Sequence, residues 1–169
     1  MSLEDILVSR IMIKDVQVVD ENASLQQACK VMTFNNVGSV VVVTNVDSDN
    51  NNRIPVGIIT ERDVVKQIGI DPYRSHFSIS ELLNRPLITI PPSTSLRFAL
   101  RLMVSENIRR LPVVENGKLV GIVTDRDIYH AIVKDESLVA SLVNDELLIK
   151  HVEELEQPWI YRLREVLHK

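Results

Sequence analysis

The sequence predicts an α+β protein: two copies of one β-α-β-β-α unit, packed sheet to sheet with pseudo-two-fold symmetry, and a helical C-terminal extension. Three observations lead there. The 169-residue chain aligns with itself at an offset of 71 from Ile11 to Val43, and at an offset of 64 after that. Within each copy, apolar residues are spaced first like a strand, then like a helix, then like two strands and a second helix. The composition is 45% apolar but only 4% aromatic, so the core must be aliphatic. A small sheet with helices on one face cannot bury its apolar surface alone, and a second copy supplies the missing cover.

The elements follow in order. Val16–Val19 is a short apolar run and reads as a strand. Asn22-Ala23-Ser24 offers helix caps, and Leu25, Ala28, Val31 and Met32 recur at helical spacing. Val40–Val43 and Val56–Ile59 are β-branched runs that read as a hairpin, and a helix begins near Asp63 with Val64, Val65 and Ile68 apolar. The second copy repeats this as Leu87–Ile90, Leu96–Met103, Leu111–Val114, Leu119–Val123 and Ile128–Val133. Its hairpin turns at Asn116-Gly117, a strong tight-turn signal. In the first copy the same turn has grown into the Asp/Asn-rich stretch from Asn45 to Arg53. That loop lacks the glycine and terminal glutamate of a calcium loop, so a solvated tip is expected. The boundaries are 8–69 for repeat 1, 70–78 for a Pro-bearing polar linker, 79–134 for repeat 2 and 135–169 for the extension. In the extension, apolar residues from Leu138 to Leu167 fall near helical spacing around Pro158. That stripe packs back on its own domain, on a second subunit or on another protein.

Several function classes are disfavoured. A net charge of −4 does not suit nucleic-acid binding, which needs clustered Lys and Arg. The lone Cys29 allows no internal disulfide and is expected as a core thiol. His76, His130, His151 and His168 lack metal spacing, so no metal site is expected. There is no dinucleotide or phosphate-loop fingerprint and no nucleophile elbow, so no enzyme is expected. With no signal pattern and no long apolar run, the chain reads as soluble and cytoplasmic.

The sharpest match between the copies is Gly57-Ile58-Ile59-Thr60-Glu61-Arg62-Asp63 with Gly121-Ile122-Val123-Thr124-Asp125-Arg126-Asp127. Each spans a strand end and a helix start. Thr60 and Thr124 are plausible N-caps, and unpaired helix N–H groups there would attract an anion. Asp63 and Asp127 offer a carboxylate to a diol, and Arg62 and Arg126 a fork to phosphate. The plainer alternative is that Thr and Asp only cap a helix. Arg109 and Arg110 are either a solvated pair or a phosphate contact, and the first copy has uncharged Gly38-Ser39 in their place.

Gly-apolar-apolar-Thr-x-x-Asp twice, the Ser-Leu-x-x-Ala…Met helix twice and Arg110-Leu111-Pro112-Val113-Val114 resemble the CBS-domain family, named after cystathionine β-synthase, in its tandem form (the Bateman module). The resemblance runs from about Val8 to Val133. It implies a stand-alone regulatory sensor that binds AMP, ADP or ATP in the cleft between repeats, with S-adenosylmethionine and NAD as further ligands of the family. It implies that Asp63 and Asp127 take the ribose, with Thr60 and Thr124 near the phosphate. Adenine would lie against Val16, Val18 and Val40 in one site and Leu87, Thr89 and Pro112 in the other, beside Ile59, Val123 and Arg110. A homodimer and a separate regulated protein are the partners it implies. The alternative is a protein-interaction scaffold with vestigial clefts, acting through dimerisation and the C-terminal tail.

Overall fold

A computed structural model describes residues 2–44, 53–83, 86–135 and 138. The chain order is β1 (Val18–Asp20), α1 (Leu25–Asn35), β2 (Ser39–Thr44), β3 (Ile54–Thr60), α2 (Glu61–Ile70), α3 (Ile79–Leu82), α4 (Leu96–Ser105), β4 (Arg110–Glu115), β5 (Lys118–Thr124) and α5 (Asp125–Lys134), with 3-10 turns at Val8–Arg10 and Pro72–His76. The grown hairpin tip and all of the C-terminal extension except Asp135 and Leu138 lie outside the described residues.

The described chain divides into two compact units that interleave in sequence. The first-repeat unit holds the described residues of Lys14–Thr89 and the hairpin tip Val114–Val120. The second-repeat unit holds the described residues of Met1–Ile13, Ile90–Val113 and those from Gly121 on.

In the first-repeat unit β1, β2 and β3 form one sheet, β1 parallel and β3 antiparallel to β2. Ser24 caps α1 through a capping box with Gln27, and Asn36 ends it in the left-handed conformation at φ 51°. The inward face of α1, with Leu25, Ala28 and Met32, packs on Val19, Val40, Val42 and Ile59 of the sheet. The segment after α2 is more than a linker: its 3-10 turn leads into α3, and the Leu25 N–H donates to the Phe77 carbonyl at 3.1 Å. Ile79 and Leu82 thereby join the core. The Leu119 N–H, at the tip of the β4–β5 hairpin, donates to the Arg53 carbonyl at 2.9 Å.

The second-repeat unit repeats the plan. Asn107, just past the α4 C-cap Glu106, takes φ 53°, as its counterpart Asn36 takes φ 51° at the end of α1. Asn116 and Gly117 both take positive φ, at 51° and 78°, which builds the tight turn expected between β4 and β5. The N-terminal segment lies along the start of α4: Leu96 N–H donates to the Ile6 carbonyl at 2.9 Å and Arg97 N–H to the Leu3 carbonyl at 3.2 Å. Leu3, Ile6 and Val8 are buried there. One expectation fails. Leu87–Ile90 is not a strand, and only Ile90 makes a parallel bridge, to Val113. Pro86, Pro91 and Pro92 flank the run, and residues without an N–H cannot extend a ladder.

Candidate functional site

β2 and β3 bring the first copy of the motif together. In their ladder Val40 stands opposite Ile59 and Ser39 opposite Thr60. Thr60 is the last residue of β3, and its extended backbone (φ −116°, ψ 162°) turns the chain directly into α2. The Glu61 N–H donates to the Gly38 carbonyl at 3.2 Å, pinning the helix start to the entry of β2. Thr60 and Asp63 then form a reciprocal cap. Asp63 N–H donates to Thr60 Oγ1 at 3.2 Å, while Asp63 Oδ2 accepts from the Thr60 N–H at 3.0 Å and from its hydroxyl at 2.5 Å.

The second copy has the same geometry. Thr124 has φ −115° and ψ 161°. The Asp125 N–H donates to the Arg109 carbonyl at 3.1 Å. Asp127 N–H donates to Thr124 Oγ1 at 3.2 Å, and Asp127 Oδ2 accepts from the Thr124 N–H at 2.9 Å and its hydroxyl at 2.7 Å.

The motif glycines serve packing. A Cβ on Gly57 would fall 2.5 Å from a Leu83 methyl. A Cβ on Gly121 would fall 2.7 Å from the Met12 sulfur and 3.2 Å from the Ile13 carbonyl oxygen. Met12 and Leu83 are themselves repeat-equivalent, so each glycine admits the segment that lies along its own unit's first helix.

This geometry decides what the site offers a ligand. Among the described residues nothing bonds Oδ1 of Asp63 or Asp127, so each carboxylate holds the cap with one oxygen and keeps the other open. Capping and diol binding are therefore compatible roles. The Thr60 and Thr124 hydroxyls have already spent their proton on the aspartate and cannot also donate to a phosphate. The expected row of open helix N–H groups is also corrected. In α5 the first three are taken, by the Arg109 carbonyl, Asp125 Oδ1 and Thr124 Oγ1. In α2 only the Arg62 N–H is left, among the described residues. Positive charge must come from side chains. Arg62 and Arg126 are exposed and Arg110 is half-buried, and none of them is in an ion pair among the described residues.

The remaining predicted contacts divide. Val40 and Ile59 face the core with α1, so only their backbone is available to a ligand. Val18 is half-buried at the other edge of the same sheet, and Val16, just before β1, is buried. Pro112 and Val123 are buried in the second-repeat unit, and the Pro112 carbonyl is engaged by the Ile90 N–H at 3.1 Å. Half-buried Leu87 and exposed Thr89 belong to the first-repeat unit, whereas Thr124, Asp127, Arg110 and Pro112 belong to the other. Cys29 is half-buried rather than fully enclosed, and burial pushes its thiol pKa up, away from the nucleophilic thiolate. No group of three metal-ligating side chains occurs among the described residues, and no helix among them is long and apolar enough to cross a membrane.

Comparison with known proteins bears directly on this doubled frame. The CBS-domain model matches twice, at residues 8–70 and 79–134. The chain belongs to the CBS-domain family. A Methanopyrus kandleri protein is 38% identical over 126 residues, 73% of this chain and 59% of that protein. The CBS domain-containing protein YhcV of Bacillus subtilis is 31% identical over 133 residues, 79% of this chain and 90% of that one. Among solved structures, the CBS domain pair of protein MJ0100, in complex with 5′-methylthioadenosine and S-adenosyl-L-methionine, aligns with a TM-score of 0.64 at 27% identity, covering 76% of this chain and 97% of that one. The α+β tandem CBS architecture expected from the sequence is thus the architecture found.

Proposed function

We propose that this CBS pair is a regulatory module that binds an adenosine-containing ligand at the strand–helix junctions ending in Thr60-Glu61-Arg62-Asp63 and Thr124-Asp125-Arg126-Asp127. The observation that carries the reading is the carboxylate oxygen left open beside each completed cap, twice in one chain. A cap needs one acceptor oxygen. An aspartate whose second oxygen points to no protein group is suited to a ribose diol, through charge-assisted bonds of about 1.5–3 kcal/mol each. The adenosyl complex of MJ0100 supports the ligand class. In this reading the ligand is AMP, ADP or ATP, S-adenosylmethionine or a relative, the module works as a homodimer, and a separate protein reads its state. No bond is made or broken at either junction.

One observation favours a second reading, an interaction scaffold. Val65, Ile70 and Tyr73, on α2 and the turn after it, are 71%, 66% and 77% exposed, which is unusual for apolar side chains so close together. Thermal denaturation separates the two. A ligand that binds only the folded state must raise Tm, by an amount that grows with its concentration. A rise with adenosine-containing compounds, absent with guanosine counterparts, is expected. A flat response to AMP, ATP, S-adenosylmethionine, 5′-methylthioadenosine and NAD alike leaves the scaffold.

A further inference from the structure

The two junctions share a backbone frame but not a charge. Around the start of α2 stand Gly38, Ser39, Glu61, Arg62 and Asp63, one guanidinium with two carboxylates, formally −1. Around the start of α5 stand Arg109, Arg110, Asp125, Arg126 and Asp127, three guanidinium groups with two carboxylates, formally +1. The positions correspond one to one. Gly38 and Arg109 each accept the first helix N–H, and Ser39 and Arg110 each open the strand that follows. Arg109 lies near enough to α5 for its charge to act on the Tyr129 hydroxyl. None of Arg109, Arg110 and Arg126 is held in an ion pair among the described residues, so their charge is not already neutralised.

A neutral adenosine derivative is treated alike by both frames. A 5′-phosphate is not. At α2 it meets two carboxylates and one guanidinium. At α5 it meets two further guanidinium groups, whose planar forks suit phosphate oxygens. The one open first-turn N–H, that of Arg62, is a single amide dipole and does not replace two full charges. Resting on the adenosyl reading above, we infer that the two junctions sort ligands by charge: the second-repeat site takes a 5′-phosphorylated adenosine, and the first-repeat site takes an adenosyl ligand without phosphate, such as a 5′-thioether.

Calorimetry on the full chain with AMP and with 5′-methylthioadenosine tests this. Asp127→Asn is expected to cost AMP its binding and Asp63→Asn to cost 5′-methylthioadenosine its binding, because Asn keeps a capping oxygen but loses the charge. The variant Arg109→Gly/Arg110→Ser, which gives the second site the residues of the first and leaves both caps intact, should weaken AMP at least about tenfold. It should weaken 5′-methylthioadenosine far less. Equal loss of both ligands in each aspartate variant, the opposite assignment, or an AMP affinity indifferent to the double variant overturns the sorting while leaving the adenosyl reading in place. No binding of either compound, or of ATP and S-adenosylmethionine, to wild-type protein overturns both.

Discussion

Helices α2 and α5 begin with the same cap and the same Arg-Asp pair, yet they end up in different surroundings. In α5 the positions after the motif, Ile128, Tyr129 and Ile132, are 0%, 1% and 0% exposed. Their counterparts in α2 are Val64, Val65 and Ile68, and α2 buries no residue fully. The difference comes from the neighbours. α5 packs beside α4, which buries Leu96, Ala99, Leu100 and Met103, and its unit also encloses Leu3, Ile6, Val8 and Leu138. α2 packs against α1 and the short Pro72–His76 turn, which buries nothing. A motif thus fixes how a helix starts, while the length of chain folded around it fixes how much of it is buried.

That contrast is easiest to break at its strongest point. Tyr129→Ala should destabilise the protein by about 3–5 kcal/mol in urea denaturation, because it empties a filled site. Val65→Ala, at the matching position, should change stability by less than about 0.5 kcal/mol. A larger loss at Val65 means that another surface covers α2 in solution. Next comes Gly121→Ala, expected to cost about 1–3 kcal/mol by pressing on Met12 and the Ile13 carbonyl. Gly57→Ala should cost less, since only the Leu83 side chain has to give.

The buried phenol adds a pH test of the same contrast. Burial, reinforced by the charge of Asp125 and opposed by Arg109, raises the Tyr129 pKa above its ordinary 10.0. The folded state therefore holds the proton after the unfolded chain has released it. The stability this contributes is complete below pH 10.0 and is lost as pH rises beyond it toward the folded value. Stability measured from pH 9 upward should fall less steeply in Tyr129→Phe than in wild type. The smallest effect is a gain. Gly69, within α2, has no neighbouring atom within 4 Å of the place a methyl group would take, so Gly69→Ala should stabilise by about 0.5–1 kcal/mol, read as a higher midpoint in urea.

The helix caps at Ser24, Thr60 and Thr124 and the Asn116-Gly117 turn are legible in sequence because each rests on residues within a few positions of one another, and the repeats are legible because the chain matches itself at offsets of 71 and 64. The first N–H of each helix looks open in sequence because the Gly38 or Arg109 carbonyl that takes it lies a whole hairpin away along the chain. The short apolar run at Leu87–Ile90 suggests a strand, and the flanking prolines outweigh it. Nothing local reveals that Val40 and Ile59 turn their side chains into the α1 core, since period alone does not say which face of a sheet the helix covers. The charge difference between the two junctions is visible in Gly38-Ser39 against Arg109-Arg110, and the structure adds that these pairs occupy the same place in the frame.

The docking of the N-terminal segment on α4 has a consequence for biosynthesis. The carbonyls of Leu3 and Ile6 find their donors in Arg97 and Leu96. During translation the Leu3–Val8 segment therefore emerges before α4 and waits until α4 has followed before it has a surface to close on. The first-repeat unit meets no such delay for its main sheet, whose three strands are complete by Thr60. The Leu3–Val8 segment thus acts as a late clasp, and removing it would leave the second-repeat unit without its closing piece.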